Sequence, residues 1–223
     1  MFGKNPKRKP ITKYDGTLSV KEIIPTFQGE GPFVGRPAVF VRLGGCNLAC
    51  KFCDTDFENF HSMSADDVVI EVEKKSILNG PKTSLVVITG GEPLRQPIDD
   101  LCNKLIQSGF EVQIETNGTL FRNLNEKVHI VCSPKVVNNK YLQINPSLKG
   151  RITALKFLVS TKVIGYADLP EYANTYDRTK IYVQPMDEIN LEQNKQNMLH
   201  TLMIANKYGV NLCLQTHKIW NIY

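Results

Sequence analysis

The residue types with the clearest chemistry lie in one short loop. The run Gly44-Gly45-Cys46-Asn47-Leu48-Ala49-Cys50-Lys51-Phe52-Cys53 sets Cys46, Cys50 and Cys53 in a C-x3-C-x2-C spacing. Three thiolates so close in sequence can wrap one inorganic centre at little loop-ordering cost, and iron–sulfur clusters are held by cysteine thiolates. A structural zinc ion takes four protein ligands, and the nearest residue that could complete such a set is His61. A four-iron cluster on three cysteines leaves one iron open to a further ligand, which suits an enzyme better than an electron carrier. Cys102, Cys132 and Cys213 stand alone in apolar stretches and read as small core residues.

A second segment, Thr89-Gly90-Gly91-Glu92-Pro93, ends an apolar run. Two glycines let the main chain approach a ligand closely, and the proline stops the strand from continuing. Upstream, Phe27-Gln28-Gly29-Glu30-Gly31-Pro32 and Gly35 give a G-x-G-x3-G spacing. That is one residue off the dinucleotide fingerprint, and a strand follows instead of a helix, so phosphate binding is rejected.

The elements that must position these loops alternate. Strands are expected at 38–43, 85–89, 111–115, 128–132, 154–159, 180–184 and 210–215, mostly as continuous apolar runs such as Val-Val-Ile-Thr. Such runs suit a parallel sheet buried on both faces. Helices are expected from Ser64, capped with Asp67, to Leu78, from Arg95 to Ser108, and from Asn190 to Gly209. The last should bury Leu191, Met198, Leu202 and Ala205, with Met198 and Met203 as core. The fold class is α/β, either a partial barrel or an open doubly wound sheet, with function gathered at the carboxyl ends of the strands.

Composition narrows the class further. The chain has 223 residues, 27 Lys and Arg against 22 Asp and Glu for a net charge of +5, and six cysteines. A disulfide scaffold would be far richer in cysteine, no apolar run approaches a membrane span, and the basic start lacks the apolar stretch of a signal peptide. A reducing cytoplasm is the expected compartment. The densest charge, Lys4, Lys7, Arg8 and Lys9, is expected in a mobile arm over residues 1–20, followed by a single domain over 21–223. A nucleic-acid role for the arm is disfavoured, since basic ends are usually solvated.

The cysteine triplet after the first apolar strand, with the GGEP turn after the next, resembles the radical S-adenosylmethionine superfamily. The FQGEG segment, Val41-Arg42-Leu43-Gly44-Gly45-Cys46 and the Asp54-Thr55 continuation resemble the 7-carboxy-7-deazaguanine synthase (QueE) family within it, from about residue 23 to the last. The resemblance implies a partial TIM-type barrel of about six parallel strands, with a C-terminal strand and tail closing the site. It also implies a 4Fe-4S cluster on Cys46, Cys50 and Cys53, S-adenosylmethionine, and Mg2+ at Thr55. In that family the cofactor is cleaved by one electron to a deoxyadenosyl radical, which begins the contraction of 6-carboxy-tetrahydropterin to a deazapurine on the queuosine route.

Carried across residue by residue, Phe27, Gln28, Gly29, Glu30, Arg42, Thr89, Glu115, His217 and the carboxylate of Tyr223 would meet the pterin. Phe52, Cys53, Asp54, Gly91 and Glu92, with Ser133-Pro134-Lys135 and Gln184-Pro185-Met186-Asp187, would meet the cofactor. A flavodoxin- or ferredoxin-type reductant and a homodimer are implied, with neither membrane nor nucleic acid as partner. The rival reading is a small activase that makes a glycyl radical on another protein, which would need neither FQGEG nor a terminal carboxylate in the pocket.

Overall fold

The computed structural model describes residues 3–78 and 80–222. Its strands are β1 (Thr17–Phe27), β2 (Pro37–Leu43), β3 (His61–Ser64), β4 (Leu85–Gly90), β5 (Glu111–Thr116), β6 (His129–Cys132), β7 (Val136–Val137), β8 (Lys140–Tyr141), β9 (Ile152–Val159), β10 (Ile181–Pro185) and β11 (Asn211–Leu212). The helices are α1 (Ala65–Ser76), α2 (Asp99–Gln107), α3 (Leu191–Tyr208) and the short α4 (Thr216–Ile219). One sheet runs β11-β10-β9-β6-β5-β4-β2-β1-β3, while β7 and β8 form a separate hairpin. From β11 to β2 all neighbours pair in parallel, and β1 pairs antiparallel with both β2 and β3.

Strand alternation divides the interior into two parts. One face, including Val41, Ile88, Ile114 and Phe157, packs with Val68 and Val72 of α1, Leu101 and Leu105 of α2, and Ile204 of α3. On the other face Ala38, Leu85 and Val87 form a small plug against Phe33 and Phe40. Farther along that second face the side chains turn polar, with Arg42, Thr89, Glu115 and Lys156 all reaching one cavity. The sheet is an open α/β layer rather than a closed barrel. Its gap is spanned by a loop meeting a tail, since Gly29 O accepts from Thr216 N at 3.0 Å and Gly31 N donates to Cys213 Sγ at 3.0 Å.

Local chemistry explains the helix ends. Ser64 and Asp67 form the expected capping box, with Asp67 N donating to Ser64 Oγ at 3.1 Å, and α3 stops at Gly209 in the left-handed conformation (φ 63°). The second helix starts at Asp99, not Arg95. Gln96 precedes Pro97 and is extended (ψ 154°), because a residue before proline avoids the helical region.

Four expectations are corrected. β1 and β3 were not foreseen, because Lys21, Glu22 and Pro25 interrupt the apolar signal of β1 and β3 is short and polar. The boundary expected at residue 20 falls inside β1, where Leu18 and Val20 are buried. α3 buries Asn197, Thr201 and Ile204, while Leu191, Leu202 and Met203 are exposed. Asn197 sets this face by donating to Met186 O at 3.0 Å and accepting from Thr161 N at 2.9 Å. The last strand keeps only two residues, since the chain leaves the sheet after Leu212 to form the tail. Among the described residues no helix is long and apolar enough to cross a membrane.

Candidate active site

A cavity of about 750 Å3 opens at the carboxyl ends of the parallel strands. The loop after β2 brings Cys46, Cys50 and Cys53 to its wall, all as free thiols. Close backbone contacts hold this loop to the end of β4. Gly91 N donates to Leu43 O at 2.9 Å and Glu92 N to Gly45 O at 3.0 Å. A Cβ on Gly91 would stand 2.0 Å from Gly45 O, so the glycine pair is required first by the neighbouring loop. From β5, Asn117 Nδ2 reaches Asn47 Oδ1 at 2.9 Å, and Asn47 Nδ2 reaches Thr119 Oγ1 at 2.8 Å.

The segment before β1 forms another wall. Gly3 N donates to Cys53 O at 3.1 Å and Arg8 N to Cys46 O at 2.7 Å. Asn5 Nδ2 lies 2.8 Å from Thr55 O and 3.8 Å from Cys53 Sγ. Arg95 Nη1 and Arg122 Nη2 fasten the same segment through Lys9 O at 3.2 Å and Ile11 O at 2.6 Å. Residues 3–11 are therefore bound along the site rather than detached from the domain.

Inside the cavity stands a buried charge network. Lys156 of β9 pairs with Glu30, their side chains only 8% and 14% exposed. Burial alone would raise the Glu30 pKa, but the Lys156 ammonium and the amide of Gln215, at 2.8 Å, hold the carboxyl below its usual range. Gln28 Nε2 donates to Glu115 Oε1 at 3.0 Å and Thr89 Oγ1 to Glu115 Oε2 at 3.3 Å. Arg42 Nε donates to Glu22 Oε1 at 2.6 Å.

The tail roofs this space. His217 packs on Gly29, where an added Cβ would meet its Nδ1 at 2.2 Å, and burial lowers its pKa. Lys218 bridges Asp54 at 2.7 Å and Asp187 at 2.8 Å. Despite burial, Lys218, Ile189 N and Asn194 bring the Asp187 pKa down to about 2.

Phe27, Gln28, Gly29, Glu30, Arg42, Thr89, Glu115 and His217 all line the cavity. So do Phe52, Asp54, Thr55, Gly91, Ser133, Lys135, Met186 and Asp187. Glu92, Pro134, Gln184 and Pro185 do not reach its wall. The Glu92 carboxylate accepts from Leu94 N at 2.9 Å, Thr116 Oγ1 at 2.7 Å and Asn117 N at 2.7 Å, which makes it a strap between β4 and β5. Gln184 Oε1 faces Cys213 Sγ at 3.2 Å behind the wall. Tyr223 lies outside the described residues. Lys156, Asn5, Gln215 and Lys218 also line the cavity, beyond the residues expected there. Only Lys156 carried a sequence signal, a single charge within the apolar run Ala-Leu-Lys-Phe-Leu-Val.

Burial pushes the Cys46 thiol up to about 12 and raises those of Cys50 and Cys53, so this pocket favours thiolates only beside a strong positive centre. Among the described residues no three His, Cys, Asp or Glu side chains are placed to hold a single metal ion. Three free thiols with no fourth protein ligand fit an iron–sulfur cluster with an open iron better than a zinc site. Lys135 Nζ, 2.7 Å from Ser133 Oγ, stands near Cys50; burial lowers its pKa, while the thiols oppose that.

These features define a radical S-adenosylmethionine enzyme, and the sequence model of the Radical SAM superfamily matches residues 40–162. The chain is 48% identical to the 7-carboxy-7-deazaguanine synthase of Rickettsia prowazekii, an alignment spanning 100% of this chain and 96% of that protein. It is 36% identical to the one from Rhodospirillum rubrum, with 100% of both chains covered. The crystal structure of QueE from Escherichia coli superposes with a TM-score of 0.73 at 25% identity, covering 89% of this chain and 93% of that one. The chain belongs to the 7-carboxy-7-deazaguanine synthase family.

Proposed function

We propose that this chain is a 7-carboxy-7-deazaguanine synthase, a radical lyase that contracts the ring of 6-carboxy-5,6,7,8-tetrahydropterin and releases ammonia, on the queuosine-type route. The observation that carries the reading is the end-to-end match at 48% identity with a protein of that name. When bound, the 4Fe-4S cluster and S-adenosylmethionine supply the one-electron chemistry that begins hydrogen abstraction at C6.

The chain's own residues bind, orient and exclude water. Glu30 and Glu115 stand as acceptors for the donor edge of the aminopyrimidinone, and Lys156 keeps Glu30 ionised. Arg42 spends Nε on Glu22, leaving its Nη groups for the substrate carboxylate. Gly91, Ser133, Lys135, Met186 and Asp187 form the cofactor side of the cavity. Thr55, whose hydroxyl lies 3.3 Å from Asp54 Oδ1, would hold Mg2+ together with substrate oxygens and water, and the ion would supply charge stabilisation for the substrate carboxylate. The tail with His217 shuts out water, which protects a reactive radical. The enzyme works in the cytoplasm as a homodimer and draws its electron from a flavodoxin- or ferredoxin-type protein.

The test is the release of 5'-deoxyadenosine by the reduced, cluster-loaded chain. Purine that forms only with the pterin and in excess over released 5'-deoxyadenosine is expected, because loss of ammonia alone is redox-neutral and the hydrogen taken from C6 must be returned. Release unaffected by the pterin, with no purine formed, would favour the activase.

A further inference from the structure

We infer that the basic N-terminal strip, residues 3–11 together with Lys51, is the docking surface for an acidic protein that donates single electrons, an inference that rests on the radical-enzyme reading above. The strip lies directly on the cysteine loop. Its main chain bonds to Cys53 O at 3.1 Å and to Cys46 O at 2.7 Å, and Lys7 pairs with Cys46 in a parallel bridge. Gly3 sits against Lys51, where an added Cβ would stand 2.3 Å from the Lys51 carbonyl oxygen, so Lys4 and Lys51 are neighbours.

Lys4, Lys7, Lys9 and Lys51 are exposed and make no ion pair among the described residues. The acidic groups of the same loop are already taken: Glu58 by Arg8, Asp56 by Lys21 and Asp54 by Lys218. The remaining charge beside the cysteine loop is therefore positive.

Geometry and charge select the partner together. Small molecules use the cavity, which the tail roofs, so a protein donor must approach the loop from its outer side. Electron-transfer encounters are small and transient, and a complementary charge field raises their association rate by roughly 10- to 1,000-fold. Arg95 and Arg122 fix the strip, so docking does not have to order it first. Nucleic acid is the poorer fit, because residues 3–11 include no aromatic side chain on which a base could stack.

The test compares cluster-loaded wild type with the Lys4→Gln/Lys7→Gln/Lys9→Gln/Lys51→Gln variant, without cofactor or pterin. Stopped-flow spectroscopy follows the cluster gaining one electron as reduced flavodoxin loses one, with dithionite as the small-molecule control. In about 50 mM salt, a steered encounter predicts a rate with flavodoxin at least 10-fold lower in the variant. The wild-type rate should fall steeply with added salt, the variant rate should not, and the variant should lose far less with dithionite, a small anion that needs no docking surface. A variant reduced by flavodoxin at the wild-type rate would overturn the inference, and so would that result joined to a loss of affinity for single-stranded RNA. Should the fourfold variant load poorly, Lys7→Glu/Lys9→Glu repeats the measurement with no backbone bond altered. Because no product is formed, these outcomes are separate from those that test ring contraction.

Discussion

Lys156 is the one charged residue of strand β9, and its energetics are set by Glu30. Removing one member of a buried ion pair leaves the other desolvated, at a cost of about 3–5 kcal/mol. Lys156→Met should therefore lower the unfolding free energy by roughly that amount in urea titrations, and Glu30→Gln/Lys156→Met should regain most of it. Asn5 acts on the opposite wall, where its amide faces Cys53 Sγ at 3.8 Å. Hydrogen bonds to cluster sulfurs raise reduction potentials, so Asn5→Ala should shift the potential downward in a titration followed by electron paramagnetic resonance. An unchanged potential would remove Asn5 from that role. At this scale the cysteines were legible because their spacing carries the chemistry, whereas Glu30 and Glu115 were legible only through the family resemblance. Asn5 and Gln215 were not, since they reach the site through long-range folding, 48 residues from Cys53 in one case and 185 from Glu30 in the other.

Among the elements, the tail helix α4 holds both the roof and a reporter. Burial lowers the His217 pKa, so the docked tail prefers the neutral ring. Docking is complete above the ordinary histidine pKa of about 6.5 and weakens as pH falls through it, because the released tail takes up the proton first. Glu30, Lys156, Lys218 and Asp54 are the charges around this ring. Trp220, the chain's one tryptophan, lies on the C-terminal side of α4, and its fluorescence should show an acid transition that His217→Gln abolishes. A flat profile in wild type would contradict this. The β4 end is expected to be unforgiving: Gly91→Ala puts a methyl 2.0 Å from Gly45 O and should cost at least about 1–3 kcal/mol, read as a lower melting temperature. Most parallel strands were readable as apolar runs and α1 from its cap. β1 was hidden by its own charges and proline, and α3 turned a polar face inward because Asn197 satisfies backbone groups of the loops after β9 and β10.

For the whole molecule, an open sheet gains a partly roofed cavity because two distant segments meet across its gap. The loop after β1 and the tail after β11 join through Gly29, Gly31, Cys213 and Thr216, and Glu30 binds both Lys156 and Gln215. No periodicity reveals such a closure, although it is what turns strand-end residues into a cavity. The net charge of +5 likewise gains a location, since four lysines that make no ion pair among the described residues gather beside the cysteine loop. The central claim is ring contraction on this scaffold. Its most direct test is anaerobic incubation of the reduced, cluster-loaded chain with S-adenosylmethionine, Mg2+ and 6-carboxy-5,6,7,8-tetrahydropterin, followed by mass spectrometry. Formation of 7-carboxy-7-deazaguanine, absent in Cys46→Ala, is predicted; an unconsumed pterin beside a fully loaded, reducible cluster would contradict it.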